Sequence, residues 1–244
     1  MILEKLFRRL FGAARYAPPI EVERAEHAFY IQFLRKGMVV FDVGAHVGEM
    51  TLLFSRFVGD EGRVHAFEAS RGSFQRLRSI VDLSGRKNIK VNHVAVSDKV
   101  GVARLHVYDD EHMSWNSLAR RPLHLYGIDV SPVGTEEVPS TTIDAYCERE
   151  GISSIDLLKI DVEGAEYQVL RGARGMLDRK RVHCCVFEFG ATTFDMGNDP
   201  EEMESYLAGC GYQIQNLVRG DPAFPGRSSA ESARFSVHVA RPRR

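Results

Sequence analysis

The sequence predicts an α/β fold, and three observations carry that prediction. Short apolar runs alternate with amphipathic helical stretches along most of the 244 residues. One run, Val39-Val40-Phe41-Asp42-Val43, leads into a glycine turn, Gly44-Ala45-His46-Val47-Gly48, that opens a helix. Four runs carry an acid at or near their carboxyl end, Asp42, Glu68, Asp161 and Glu188. That is the end where open α/β sheets place their ligands.

Length and composition set the bounds. A chain of 244 residues buries one full core, so a single α/β domain over 37–244 is expected behind a helical segment at 1–36. A net charge of −1 gives no global pull toward nucleic acid or acidic lipid. The four cysteines, Cys147, Cys184, Cys185 and Cys210, form no C-x-x-C pair. Cys184 and Cys185 fall in an expected buried strand and read as small apolar groups, which argues against a metal site and for a reduced, cytoplasmic chain. No apolar run approaches the ~20 residues that span a bilayer.

Taken in order, Met1 to Phe11 sets Ile2, Leu3, Leu6, Phe7, Leu10 and Phe11 against Lys5, Arg8 and Arg9. It reads as a short basic amphipathic helix without a cleavage site. It would pack on the domain or touch a membrane surface peripherally. Pro18-Pro19 ends it. A second helix runs from Glu21 to Leu34, with Val22, Ala25, Phe29 and Phe33 along one face.

The Val39–Val43 run is then a buried strand, and Gly44 permits a tight turn with close backbone approach. Gly48 sits where the following helix, Glu49 to Phe57, must pack tightly. The helix start offers free N–H groups to an anionic ligand group. A dinucleotide fingerprint fails because His46 stands where a middle glycine would be. A Walker loop fails because no Gly-Lys-Ser/Thr follows. Glu68 closes the next strand about 20 residues on, where an acid accepts both ribose hydroxyls of an adenosine ligand. A ligand with ribose but no pyrophosphate suits this pattern, and S-adenosylmethionine leads. The competing reading is a turn that merely joins strand and helix.

A helix from about Ser73 to Leu83 follows, then a strand over Ile89–Val96 that finishes in Ser97-Asp98. Asp98 is placed to accept from an adenine amino group, or else is a turn residue. Residues 101–140 depart from the alternation. Val102–Tyr108 is a strand, and Asp109 to Thr135 is an irregular, polar and aromatic loop of the kind that covers a substrate. His112, Trp115, Asn116 and Ser117 lie in it. His112 and His124 lack metal-ligand spacing and read as loop histidines.

Thr142 to Arg149 is a helix capped by Thr141 or Thr142. Ile155–Asp161 is a fourth strand, on which Lys159 and Asp161 share a face, and Val162 to Glu166 turns out of it into a helix reaching about Leu170. A lysine and two acids around one strand end are costly to bury without a task. Val182–Glu188 is the fifth strand, with His183 at the wrong end for the site. A helix at Glu202–Ala208 precedes two closing strands, Tyr212–Val218 and Phe235–Ala240, joined through a loop at Asp221–Ser232.

Three segments together resemble the FkbM family of class I methyltransferases: VVFDVGAHVGEMTLLFSR, GRVHAFEAS and, most specifically, IDLLKIDVEGAEYQVLRGA. The Trp115-Asn116-Ser117-Leu118 piece and the stretch Val138 to Asp144 are weaker features. The family usually carries Asn where His46 stands and Ser where Asn116 stands. The resemblance implies a Rossmann-like, seven-stranded, mostly parallel sheet with helices on both faces and an antiparallel last strand. It also implies S-adenosylmethionine as methyl donor, S-adenosylhomocysteine as product, and most often a hydroxyl acceptor on a sugar or secondary metabolite. Some relatives methylate amide nitrogen or peptide side chains.

The expected cofactor set is Asp42, Gly44, Ala45, His46, Gly48, Thr51, Glu68, Ala69, Ser97, Asp98 and Asp161. The expected acceptor set is His112, Trp115, Asn116 and Ser117. Methyl transfer from a sulfonium is an in-line displacement in which alignment does much of the work. A neutral alcohol gains from a base, and Asp161 or Glu163 fits that role with Glu188 behind them. Lys159 would keep the acids ionised or stabilise a developing alkoxide. Asp161 and Glu188 could instead share Mg²⁺, although two carboxylates without a third ligand argue weakly for it. A cofactor-binding module without catalysis, a nicotinamide oxidoreductase and a nucleic-acid methyltransferase are the competing classes. The retained acids, the missing glycine and the neutral charge balance disfavour them in turn.

Overall fold

The computed structural model describes residues 16–243, so the expected Met1–Phe11 helix and its membrane contact lie outside the described residues. Strand β1 (Val39–Val43) is an interior strand of the main sheet, third of its seven. Its Val40, Phe41, Asp42 and Val43 are all buried, as a parallel strand covered on both faces must be. It pairs in parallel with β2 (Arg63–Glu68) on one side and β7 (Leu157–Ile160) on the other. Outside these lie β3 (Ile89–His93) and β8 (Cys185–Phe189), again parallel. Strand β10 (Ser236–Pro242) runs antiparallel between β8 and β9 (Tyr212–Asn216), closing the seven-stranded order β3-β2-β1-β7-β8-β10-β9. The expected fold class and the reversed last strand are both present.

Alternation along the strands splits the core. Val40, Leu157 and Val186 pack on Val22 and Tyr30 of α1 (Pro19–Phe33) and Phe54 of α2 (Glu49–Val58). Phe41, Leu158 and Phe187 face the other way. They meet Ile143 and Tyr146 of α4 (Ile143–Glu150), Leu170 of α5 (Glu166–Gly172), Met176 of α6 (Arg174–Asp178) and Leu207 of α8 (Pro200–Gly209). Leu77 and Val81 of α3 (Arg71–Ser84) cover Ala66. Each such side chain contributes about 1.5–3 kcal/mol of burial, which makes the sheet a rigid platform for its carboxyl-end loops.

Four expectations are corrected. The deepest stripe of α1 is Val22, Glu26 and Tyr30, with the expected Phe29 and Phe33 only partly buried beside it. Glu26 tolerates burial because the Tyr30 hydroxyl donates to it at 2.7 Å. The single strand expected over Ile89–Val96 is two: β3 in the main sheet and β4 (Ala95–Val96) in a second one. Gly134–Thr141, hidden in the sequence by Glu136, Glu137 and Pro139, is strand β6. It joins β4 to β5 (Gly101–Val107), and Pro139 breaks no bond to β4 because that pairing begins only at Ser140. The helix expected to reach about Leu170 is α5, ending at Gly172, but two unexpected helices follow, α6 directly after it and α7 (Ala191–Asp195) after β8.

The stretch expected to be irregular holds two short 3-10 turns, Met113–Trp115 and Leu123–Tyr126, before β6. All four cysteines are free and buried. No helix among the described residues is long and apolar enough to cross a membrane.

Candidate active site

The β1 turn is pressed onto the end of β7. Gly44 has φ +80°, and a Cβ there would stand 1.7 Å from the Asp161 carbonyl oxygen, so no other residue fits. The turn is tied to β2 by Gly44 and Ala45, whose N–H groups both donate to the Phe67 carbonyl, at 3.0 and 2.9 Å. His46 follows with φ +48°, a left-handed conformation that Asn and His tolerate better than most residues. The His46 N–H donates to Glu68 Oε2 at 2.8 Å, and the Ser70 N–H donates to Oε1 at 2.8 Å. Glu68 is therefore locked by backbone alone. Burial pushes its carboxyl up to about 7, opposed by the Ser70 and His46 N–H bonds.

Beneath the turn lies a second layer of charge. Asp42 is wholly buried and accepts from the Thr51 hydroxyl at 2.5 Å. Lys159 Nζ stands 3.4 Å from Asp42 Oδ1 and 3.1 Å from Asp161 Oδ2. Burial alone would lower the Lys159 ammonium, but Asp161, Asp42, Glu26 and Glu188 together raise it above its ordinary value, so it stays a cation. Asp161 is thus an ion-paired carboxylate, half-exposed above a buried lysine.

The turn after β7 places the next acid. Val162 and Gly164 N–H groups donate to Glu166 Oε1 at 3.0 and 3.2 Å. Gly164 has φ +108° with the Thr192 carbonyl where a Cβ would stand, 2.3 Å away. Between them Glu163 takes φ +54°, rare for a non-glycine residue and held in place by these neighbours. Burial first, and then the Asp161 charge, push the Glu163 carboxyl up to about 8. Burial and the charges of Asp161 and Glu163 raise Glu188, at the end of β8, well above the carboxylate range.

A cleft of about 770 Å³, open mouth included, lies above these elements. Gly44, His46, Glu68, Ala69, Asn116, Asp161 and Glu163 of the predicted residues line it. Phe67, Val94, Val96 and Leu105 form its apolar side, and Met113, Ser114 and Leu118 of the 109–133 segment add to its wall. A mostly apolar wall with a few converging polar groups is how small-molecule sites are built. His46 Nε2 is buried there with no hydrogen-bond partner among the described residues.

Other predicted residues stand elsewhere. Asp42, Thr51 and Lys159 form the layer below the wall. Ala45 and Gly48 are turned into packing, and a Gly48 Cβ would stand 2.6 Å from Leu77 Cδ1. Ser97 is buried and Asp98 pairs with Arg171 at 3.4 Å, so neither reaches the cleft. His112 bonds Asp109 at 2.7 Å and lies 4.6 Å from the Trp115 ring, both off the wall. Ser117 is buried and donates to the Glu163 carbonyl at 2.8 Å, so it supports the turn. Glu188 is absent from the wall. No three His, Cys, Asp or Glu side chains among the described residues are grouped to hold a metal ion.

Three residues that shape the site went unpredicted. Glu166 was legible as an acid three residues past Glu163, in a position to cap the turn. Arg121 and Asp195 carried no signal, since one lies in the irregular loop and the other on an unexpected helix.

A family model described as the methyltransferase FkbM domain matches residues 42–214. The 31-O-demethyl-FK506 methyltransferase FkbM of Streptomyces tacrolimicus is 34% identical over 214 residues, covering 79% of this chain and 78% of that protein. The 2-O-methyltransferase NoeI of Sinorhizobium fredii is 26% identical over 149 residues, 59% of this chain and 60% of its own. A crystal structure of methyltransferase FkbM from Methylobacillus flagellatus covers 98% of this chain at 15% identity and a TM-score of 0.50. This chain spans 59% of that structure's length, and the likeness speaks to the fold alone.

Proposed function

The chain belongs to the FkbM methyltransferase family, and from that premise we propose that it transfers the methyl group of S-adenosylmethionine to a hydroxyl oxygen of a sugar or secondary metabolite. The observation that carries this reading is the pair of acids, buried Glu68 and partly buried Glu163, lining one cleft on either side of the β1 turn. The residues fit an adenosyl ligand. Gly44 lets the β1 turn pack directly on the Asp161 backbone at the edge of the cleft, and His46 presents a buried nitrogen that lacks a partner among the described residues. Glu68 has its carboxylate fixed by two N–H donors, with further lone pairs to accept ribose hydroxyls. Ala69, Val94 and Val96 offer an apolar side to a purine. When bound there, the sulfonium supplies an electrophilic methyl group, whose S–C bonding electrons remain on sulfur as the acceptor oxygen bonds the carbon.

The protein's own part is alignment and proton transfer. Asp161 is ion-paired with Lys159 at 3.1 Å, which leaves Glu163 as the acid assigned to proton transfer. Glu163, raised to about 8, is matched to an acceptor hydroxyl near neutral pH and takes its proton as the oxygen attacks. Lys159 is too deeply buried to touch an acceptor, and its role is to hold Asp161 and Asp42 in place as their ion-pair partner.

The two relatives act at oxygen by their names, which supports oxygen as the acceptor atom here. The test is release of S-adenosylhomocysteine from S-adenosylmethionine with a panel holding 31-O-demethyl-FK506, methyl hexosides with a free 2-hydroxyl, and amides. Turnover with a hydroxyl compound supports the reading. Turnover confined to the amides refutes it.

A further inference from the structure

One cation reaches the proposed base from the loop above it. Arg121 Nη1 stands 3.1 Å from Glu163 Oε2, and Arg121 Nε stands 3.5 Å from Asp195 Oδ2. The Arg121 side chain is 12% exposed and that of Asp195 1% exposed, so this ion triad is largely shielded from water. Charge interactions there are stronger and less screened than on the surface. The same loop grips Glu163 a second time, since the Ser117 hydroxyl donates to its carbonyl oxygen at 2.8 Å. Side chain and backbone of one residue are both anchored by a segment some forty positions earlier in the chain.

The surroundings explain why a cation is needed. Glu163 is faced by Asp161 from the end of β7, Glu166 from α5, Asp195 from α7 and Glu188 from β8, all acids. Each disfavours a negative charge on Glu163, and Arg121 opposes them. A guanidinium also fixes orientation through its planar fork, which a lysine cannot do. The bond engages Oε2 and leaves Oε1 for the acceptor.

We infer that Arg121 is a positioning residue of methyl transfer, fixing the Glu163 carboxylate by one oxygen and favouring its proton-accepting form against the surrounding acids. The inference rests on the reading of Glu163 as the base. It makes the loop part of the catalytic apparatus as well as a wall for the acceptor.

The test follows the carboxyl ¹³C signal of Glu163 against pH in the full-length protein labelled at glutamate, with E163Q assigning the resonance. This measurement needs no acceptor. In R121Q the midpoint should rise by about one pH unit or more, a tenfold loss of the ionised form at neutral pH. In D195N, which removes a neighbouring acid and leaves Arg121, it should fall. R121K should keep the midpoint near wild type yet lower kcat about tenfold with the acceptor found by the release assay, because the fork is lost. Affinity for S-adenosylhomocysteine should stay within about twofold in all three variants, as Arg121 does not line the cleft. A midpoint unmoved in both R121Q and D195N overturns the role of Arg121 while leaving the base intact. Full turnover in E163Q overturns the base itself, and this inference with it.

Discussion

Glu68, buried, and Glu163, partly buried, are acids on the wall of one cleft, and they are held in opposite ways. Glu68 is bound by two backbone N–H groups, from His46 and Ser70, within the strand–turn–helix units that create it. Glu163 sits on a left-handed backbone and takes its anchors from side chains on Arg121 and Ser117, far away in sequence. Backbone donors survive every side-chain exchange except one to proline, so the Glu68 side is a fixed cradle. Side-chain anchors can be exchanged, so the Glu163 side is where chemistry and acceptor choice are tuned. The difference assigns ligand holding to one acid and proton transfer to the other.

That division can be broken at its seam. Gly44→Ala would drive a Cβ into the Asp161 carbonyl at a positive φ, where the cradle meets the turn that carries Glu163. We expect a loss of about 4 kcal/mol or more in urea unfolding, together with loss of the cleft. A near-native variant would mean that the two sides are not in contact as described.

Next in size is Glu163→Gln. Turnover should fall by about 10²- to 10⁴-fold while S-adenosylhomocysteine binding is kept, as expected when proton transfer alone is removed. Loss of affinity in place of turnover would merge the two acids into one role.

A smaller effect follows from burial of acids on both sides. Glu68, Glu166 and Glu163 are raised to about 7, 7 and 8 in the fold against an ordinary 4.5. Their stabilising share is full below pH 4.5 and is lost as pH rises through 7 to 8. His65 and His238 work the other way, lowered by burial to about 4 and 3 from 6.5. Their share is full above 6.5 and is lost as pH falls toward 4 and 3. The ligand-free protein should therefore melt several degrees higher near pH 6 than at pH 8.5, read by calorimetry. A flat profile would mean that the acids are hydrated.

The smallest effect is on the cradle's own backbone. His46→Asn places a residue that accepts a left-handed φ, so stability should change by no more than about 0.5 kcal/mol. A larger drop would give the His46 ring a packing role.

The same comparison explains what the sequence made legible. The cradle is local: Gly44, Gly48 and Glu68 fall within one strand–turn–helix–strand unit, so spacing alone exposed it. The Lys159–Asp161 pair was legible because strand alternation puts both on one face. Asp42 and Thr51 were misplaced because period and spacing give a residue's face but not its depth, and both lie one layer too low. Asp98 was read toward adenine, since nothing in the strand showed that Arg171 would claim it. Arg121 and Asp195 were out of reach because their pairing depends on the path of an irregular loop and an unforeseen helix. Local bonding was readable, and long-range bonding was not.

Calorimetric titration of S-adenosylhomocysteine into wild type, E68Q and E163Q tests the central division most directly. The account predicts clear binding by wild type, a loss of about tenfold or more in E68Q as a charge-assisted acceptor is removed, and wild-type affinity in E163Q. Equal affinity in E68Q and wild type, or no binding by the wild-type protein, would contradict it.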